Sequence, residues 1–310
     1  MNAPPLVGRT ALVTDGASGA GRETALGLAK LGAAVTLVAR DEERGMEAVE
    51  TIRCASGNPD VELATADLSS RAEVRVLAER FAARHGRLDL LVNHATGAFP
   101  QRGETVDGME ATLAVAHLSP ALLTYLLLPL LRESAPARIV NVAPAARGRA
   151  RVRWDDLQST RGYRGAETNA HVRLLNLLWT GELARRVRGT GITVVAADAG
   201  ESGLARTGLQ TLWKRIAYGW RSGAAEDVAR GAIVAATSRD VQSGIFLDAR
   251  GRPTRPSRRA RDGEAALRAW TVTAEMLGID VDAVAGRRRR PMEETERFTA
   301  PRLVAAGAAA

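Results

Sequence analysis

Hydrophobic and polar residues follow two alternating patterns along this chain. Short apolar runs between turn residues are typical of buried strands, and apolar residues three and four apart are typical of amphipathic helices. The apolar runs predict strands at Thr10–Thr14, Ala34–Ala39, Val61–Thr65, Leu88–Val92, Arg138–Val142, Ile192–Ala197 and Gly244–Leu247. The spaced pattern predicts helices near 20–31, 42–55, 70–85, 107–131, 167–187, 225–237 and 263–277.

This alternation predicts one α/β domain, because strands joined by helical crossovers form a parallel sheet with helices on both faces. The chain has 310 residues, of which 45% are hydrophobic, so it can build a large core. We place this domain at residues 1–285. From Gly286 the composition shifts to Arg, Pro, Glu and Ala without a period, and residues 286–310 are predicted to be a flexible or partner-binding tail.

The charge comes almost entirely from arginine. The formal net charge is +8, with Arg250–Arg261 and Arg287–Arg290 as the densest basic runs. Such runs are compatible with nucleic-acid binding, but no aromatic residues interleave them and no helix–turn–helix pattern is present. We therefore expect solvated surface charge and no nucleic-acid partner.

Cysteine and hydropathy point to a soluble, cytoplasmic protein. Cys54 is the single cysteine, so neither an internal disulfide nor a cysteine metal site is expected, and no metal is predicted. The longest apolar stretch, Pro120–Leu131, is shorter than a bilayer requires, and no secretory leader pattern opens the chain. No membrane partner is expected.

A glycine-rich segment, Thr14–Gly21, joins the first strand to the first helix. Such a turn places backbone N–H groups against a pyrophosphate. With "LVNHAT" at 91–96, "RIVNVAP" at 138–144 and "TVVAADAG" at 193–200, the chain resembles the short-chain dehydrogenase/reductase (SDR) family, in its retinol-dehydrogenase and WW-domain-oxidoreductase branch. The resemblance implies a Rossmann-type, doubly wound, seven-stranded parallel sheet and a nicotinamide cofactor.

The resemblance also assigns cofactor residues. The positions it places around the dinucleotide are Thr14, Asp15, Ser18, Gly19, Gly21, Arg22, Arg40, Asp67, Leu68 and Asn93. Asp15 replaces the first glycine; its backbone tolerates the left-handed region, but its carboxylate would repel a pyrophosphate. Ala39 replaces the acid of NAD-preferring relatives, and Arg22 and Arg40 fall where NADP-preferring relatives carry bases. We expect NADP(H), bound weakly or lost.

The catalytic positions of the family hold other residues here. The resemblance puts Asn169 on the tyrosine, Arg173 on the lysine, Ala116 on the asparagine and Pro144 on the serine. None of these side chains can relay a proton at neutral pH, so the usual reduction is not expected.

Two other residues are candidates for the missing acid or base. Asp198 at the end of the sixth strand is our first candidate, and His94, which we expect to titrate near neutral pH in the cofactor groove, is the second; Glu201 lies just beyond Asp198. The alternatives are that Asp198 only caps a loop and that His94 only fills space.

Three functional hypotheses remain open from the sequence. The first and favoured one is non-redox chemistry on a small molecule, such as cyclisation, dehydration or isomerisation, in specialised metabolism. The second is a silent subunit or regulator of an active SDR, and the third is an atypical NADP(H)-dependent oxidoreductase. The helices near 107–131 and 167–187 carry much apolar surface and correspond to the family's four-helix interface. We therefore expect a homodimer or homotetramer, or a hetero-oligomer with an active SDR.

Overall fold

The fold was analysed in a computed structural model, which describes residues 5–94, 97, 99–142, 150–198, 223–238 and 240–280. The strands are β1 Thr10–Val13, β2 Ala34–Ala39, β3 Val61–Thr65, β4 Leu90–His94, β5 Ala137–Val142, β6 Ile192–Ala197, β7 Ile245–Leu247 and β8 Pro253–Thr254. The helices are α1 Gly19–Lys30, α2 Glu42–Ser56, α3 Arg71–His85, α4 Ala111–Glu133, α5 Gly165–Arg186, α6 Gly223–Thr237 and α7 Gly263–Leu277. The predicted tail, 286–310, lies outside the described residues.

All the strands belong to one sheet, in the order β3-β2-β1-β4-β5-β6-β7-β8. The seven predicted strands are parallel, and the chain order reverses direction between β1 and β4, as in a doubly wound fold. The predicted count of seven strands is wrong, because β8 adds an eighth strand antiparallel to β7. A tight turn stabilised by Asp248, which accepts hydrogen bonds from the backbone of Arg250 and Arg252, creates this pairing. Two residues are too few to show a strand period.

Two apolar cores lie on opposite faces of the sheet. One packs α1, α2 and α6 against the sheet, and the other packs α3, α4, α5 and α7 against its opposite face. Successive residues of β1 enter different cores, with Leu12 in one and Val13 in the other, as the alternation of a strand requires. Helices α1 and α6 approach closely at Gly27, where an added Cβ would lie 2.2 Å from Ile233 Cδ1.

Helix α4 contains one π-helical turn. The helix is regular at Ala111–Leu113, widens at Ala114–Leu118 and is regular again from Ser119 to Glu133. It begins four residues later than the predicted start at 107, because the buried Glu110 caps it through both carboxylate oxygens. A single π turn spans too few residues for the apolar periodicity to reveal it.

Helix α7 covers the outer side of α5. Trp270 of α7 stacks on Trp179 of α5 with ring centroids 6.2 Å apart, and Tyr125 of α4 meets both rings edge-on. Trp179 donates its indole N–H to the Tyr125 hydroxyl at 2.8 Å. The apolar residues of α4 and α5 that suggested an oligomer are largely buried within this one chain.

Candidate functional site

The glycine-rich turn between β1 and α1 lies at the carboxyl end of the sheet. Asp15 has a φ of +53°, so the expectation that Asp tolerates the left-handed backbone here is confirmed. Gly21 packs directly on this turn, since an added Cβ would lie 2.1 Å from the Asp15 carbonyl oxygen. Ser18 and Gly19 at the start of α1 are exposed. The turn therefore keeps the close backbone approach that a pyrophosphate needs.

The two candidate bases for a 2′-phosphate differ in their surroundings. Arg22 is held by its neighbour Glu23, with 3.0 Å between guanidinium and carboxylate. Arg40 follows the end of β2 and is exposed. At the predicted adenine subsite, Asp67 accepts a hydrogen bond from the backbone of Ser69 at 2.8 Å, and Leu68 is half-buried.

The side chain of His94 lies beneath α1. Its backbone N–H donates to the Thr14 hydroxyl at 2.9 Å, and its Nε2 lies 3.0 Å from the Thr24 hydroxyl of α1. The Thr24 hydroxyl is also within hydrogen-bond distance of Ala20 O at 2.8 Å, and the Nδ1 of His94 is buried without a hydrogen-bond partner among the described residues. Burial lowers the pKa of His94 to about 4, so the expectation of titration near neutral pH is wrong.

Arg173 and Asp198 form a charge pair on the opposite face of the sheet from His94. Asp198 follows β6 and is 3% exposed. Burial lowers the pKa of Arg173 from its usual value, and the charge of Asp198 opposes this shift only in part. The Nε of Arg173 is buried without a hydrogen-bond partner among the described residues. The site thus offers a desolvated cation with an unused donor.

Two of the other positions that the family resemblance aligns with catalytic residues lie in the described part of the chain. Asn169 lies on α5 one helical turn before Arg173 and is half-buried. Ala116 is buried in the π turn of α4. Pro144 and Glu201 lie outside the described residues.

Tyr163 and His171, which lie close to Asn169 in the sequence, already make hydrogen bonds to the backbone. The Tyr163 hydroxyl donates to Phe99 O at 2.7 Å. His171 contacts the backbone of Arg153 through Nδ1 and that of Leu157 through Nε2.

A buried chain of polar side chains, which the sequence reasoning missed except for Asn93, connects the sheet to α4. From β4, Asn93 donates to Asn141 at 2.8 Å, Asn141 donates to Thr180 at 3.0 Å, and Asn176 completes the chain by donating to Ala116 O at 2.9 Å. The sequence feature that could have revealed this chain is one asparagine in each of two neighbouring apolar strands, at the paired positions 93 and 141. The carbonyl of Ala116, in the π turn of α4, therefore accepts a hydrogen bond from a side chain of α5.

Comparison with known proteins identifies the family. The short chain dehydrogenase model matches residues 9–154. The chain is 37% identical to retinol dehydrogenase 12 of Mus musculus over 278 residues, covering 88% of this chain and 87% of that protein. This chain belongs to the short-chain dehydrogenase/reductase family.

Solved structures agree with this assignment. A Mycobacterium paratuberculosis protein superposes with a TM-score of 0.76 at 30% identity, covering 90% of this chain and 97% of that one. Pseudomonas aeruginosa RhlG, solved as a complex with NADP, superposes with a TM-score of 0.58 at 28% identity, covering 80% and 97%. That SDR protein therefore binds NADP on the same fold.

The prediction of a cytoplasmic protein is wrong, because it assumed that no apolar stretch of the chain is long enough to cross a membrane. Helix α4, Ala111–Glu133, has 23 residues and a mean hydropathy of 1.7 in its most apolar window, which suffices in length and composition to cross a membrane. The sequence estimate began at Pro120 and missed the apolar residues before it. In the folded chain, 83% of that window is buried.

Proposed function

We propose that this chain is an atypical NADP(H)-dependent oxidoreductase that interconverts an apolar alcohol and its carbonyl. The observation that carries the proposal is the desolvated Arg173 cation, with its unpartnered Nε, beside Asp198 on the face that also presents Asn169. The family relatives support redox chemistry, and they give no support to the non-redox hypothesis that the sequence favoured.

The residues present fit the dinucleotide. Because Gly21 has no Cβ, its backbone can lie close to the Asp15 carbonyl. The left-handed backbone of Asp15 keeps the shape of the turn. The turn at 14–22 would hold the pyrophosphate, and Arg40 would face the 2′-phosphate. The cofactor supplies the hydride when bound.

The role of Arg173 in this reaction would be to stabilise negative charge on the substrate oxygen. When the carbonyl carbon accepts hydride, its oxygen becomes an alkoxide, which a buried guanidinium stabilises more strongly than an exposed one would. Arg173 does not give up its proton, so the alkoxide takes its proton from solvent. Loss of a positioned acid costs about 10²–10⁴ in rate, and slow turnover is therefore expected.

The substrate side supports an apolar ligand. Phe99 is 40% exposed, and its carbonyl lies against Gly165 at the start of α5, the helix that carries Asn169 and Arg173. The similarity to a retinol dehydrogenase points to the same substrate class. A homo-oligomer, or a hetero-oligomer with an active SDR, remains a prediction, as does the domain boundary at 285.

The non-redox alternative remains as a second candidate because Asn169 and Arg173 lack a transferable proton. In that case Asp198 would act as the base, with NADP(H) dispensable.

The test is NADPH oxidation with a panel of apolar aldehydes and ketones by the native protein, Arg173→Ala, Arg173→Lys and Asp198→Asn. We expect slow consumption by the native protein, a fall in kcat/KM of about 100-fold in Arg173→Ala, and partial retention in Arg173→Lys, which keeps the charge. No NADPH consumption by the native protein would reject the proposal. Conversion of the same panel without cofactor, abolished in Asp198→Asn, would favour the second candidate.

A further inference from the structure

The arginine-rich segment 250–261 is exposed at the far edge of the sheet. It contains six arginines and no acidic residue, and it includes the edge strand β8, which four strands of the sheet separate from β1 and its cofactor turn. All six side chains are exposed. One of them, Arg252, is neutralised by Asp248 at 2.7 Å.

Three of these arginines line one surface concavity. Arg258, Arg259 and Arg261, together with Asp262, surround about 560 Å³. Within the described part of the chain, no carboxylate forms an ion pair with any of the three. The carboxylate of Asp262 is engaged in capping α7, where it accepts from the backbone of Glu264 and Ala265.

Two of the guanidiniums are already oriented by the backbone. Arg259 donates from Nη1 to Ala150 O at 3.1 Å, and Arg261 donates from Nε to Pro256 O at 3.3 Å. Each guanidinium has five N–H donors, so most donors of both groups remain available. Like charges this close repel one another unless an anion lies between them, and planar guanidiniums match the oxygens of a phosphate group.

We propose that the concavity formed by Arg258, Arg259 and Arg261 binds a phosphate group, as a free or organic phosphate or as a phospholipid headgroup. This site is separate from the cofactor turn and does not depend on the proposed redox activity. The Arg259 contact with Ala150 connects it to the segment between β5 and α5.

The experiment compares two double variants of the full chain by calorimetric titration with inorganic phosphate. Arg258→Gln/Arg261→Gln removes two charges from the concavity, and Arg250→Gln/Arg255→Gln removes two exposed charges from the same segment outside it. We expect the first to weaken phosphate binding by about tenfold or more and the second by no more than about twofold. Equal loss in both variants would show a diffuse charge effect and overturn the proposal.

Two further arms identify the ligand and the site. Co-sedimentation with phosphatidylcholine vesicles containing phosphatidic acid tests the headgroup, with pure phosphatidylcholine vesicles as control. Vesicle binding that depends on Arg258 and Arg261, with no response to inorganic phosphate, assigns a lipid source. The phosphate titration is repeated in Gly21→Ala, in which the added Cβ would clash with the cofactor turn, and unchanged heat there excludes that turn as the phosphate site. Absence of both phosphate and vesicle binding in the native protein would refute the site.

Discussion

At the scale of single residues, Asp15 is the departure that most directly affects the cofactor. Its φ of +53° suits glycine, and its carboxylate stands beside the turn that would hold a pyrophosphate. We expect Asp15→Gly to tighten NADPH binding by about tenfold, because one repulsive charge is removed while the turn is kept. Fluorescence titration measures this change. Gly21→Ala is the matched control and should abolish binding. An unchanged affinity in Asp15→Gly would show that the Asp15 carboxylate does not weaken cofactor binding.

The preference for NADP(H) depends on Arg40 more than on Arg22. Arg22 is partly neutralised by Glu23, whereas Arg40 is exposed after β2. We expect Arg40→Ala to weaken NADPH binding by about tenfold and to leave NADH binding nearly unchanged, since only NADPH carries the 2′-phosphate. Arg22→Ala should have the smaller effect. Equal losses for both cofactors would contradict this specificity.

His94 makes the stability of the fold depend on pH. The folded state keeps His94 neutral with a pKa of about 4, while the unfolded chain protonates it near 6.5. The unfolded state therefore binds more protons as the pH falls, and stability present above pH 6.5 is lost toward pH 4, at up to about 1.4 kcal/mol per pH unit. Urea denaturation across this range measures it. His94→Gln can keep a donor for Thr24 without titrating and should reduce the slope. The slope should not vanish, because burial also lowers the pKa of His117, which contributes in the same direction. An identical slope would assign it to other groups.

At the scale of elements, the sequence predicted those parts that repeat a local pattern. The strand from Ala34 to Ala39 agrees residue for residue, because a buried strand is a continuous apolar run with turn residues at its ends. The β8 strand and the π turn were missed because each spans too few residues to show a period. The direction of His94 was also misjudged. Its family position is known from the motif, but the Thr24 contact that places it beneath α1 involves a residue 70 positions away.

The asparagine chain predicts a stability effect at the junction of α4 and α5. Asn176→Leu would leave Ala116 O without its side-chain donor and the Thr180 hydroxyl without the acceptor for its proton. We expect a loss of about 2 kcal/mol in the free energy of unfolding, since a buried unsatisfied group costs about 1–3 kcal/mol. Chemical denaturation measures this loss of unfolding free energy, and Arg188→Leu, at an exposed position, is the control. A loss below about 0.5 kcal/mol would show that the π turn does not need this anchor.

At the scale of the whole molecule, α7 determines which surface remains for a partner. The four-helix interface implied by the family resemblance requires the outer faces of α4 and α5, and Trp270 of α7 occupies part of that position by stacking on Trp179. Trp179 and Trp270 are each 1% exposed. An oligomer built through this face would therefore have to displace α7 or include it.

Truncating Trp270 tests this arrangement. Trp270→Ala should cost about 3–5 kcal/mol of stability, because a large buried ring is lost and a cavity remains above Trp179 and Tyr125. If α7 closes the face that a partner would otherwise cover, the variant should self-associate more strongly than the native protein at micromolar concentration, as measured by light scattering. Leu267→Ala, at a 47% exposed position of the same helix, is the matched control and should change neither property. If the native protein is a dimer and Trp270→Ala does not change its association, the dimer must form through a surface other than the face beneath α7.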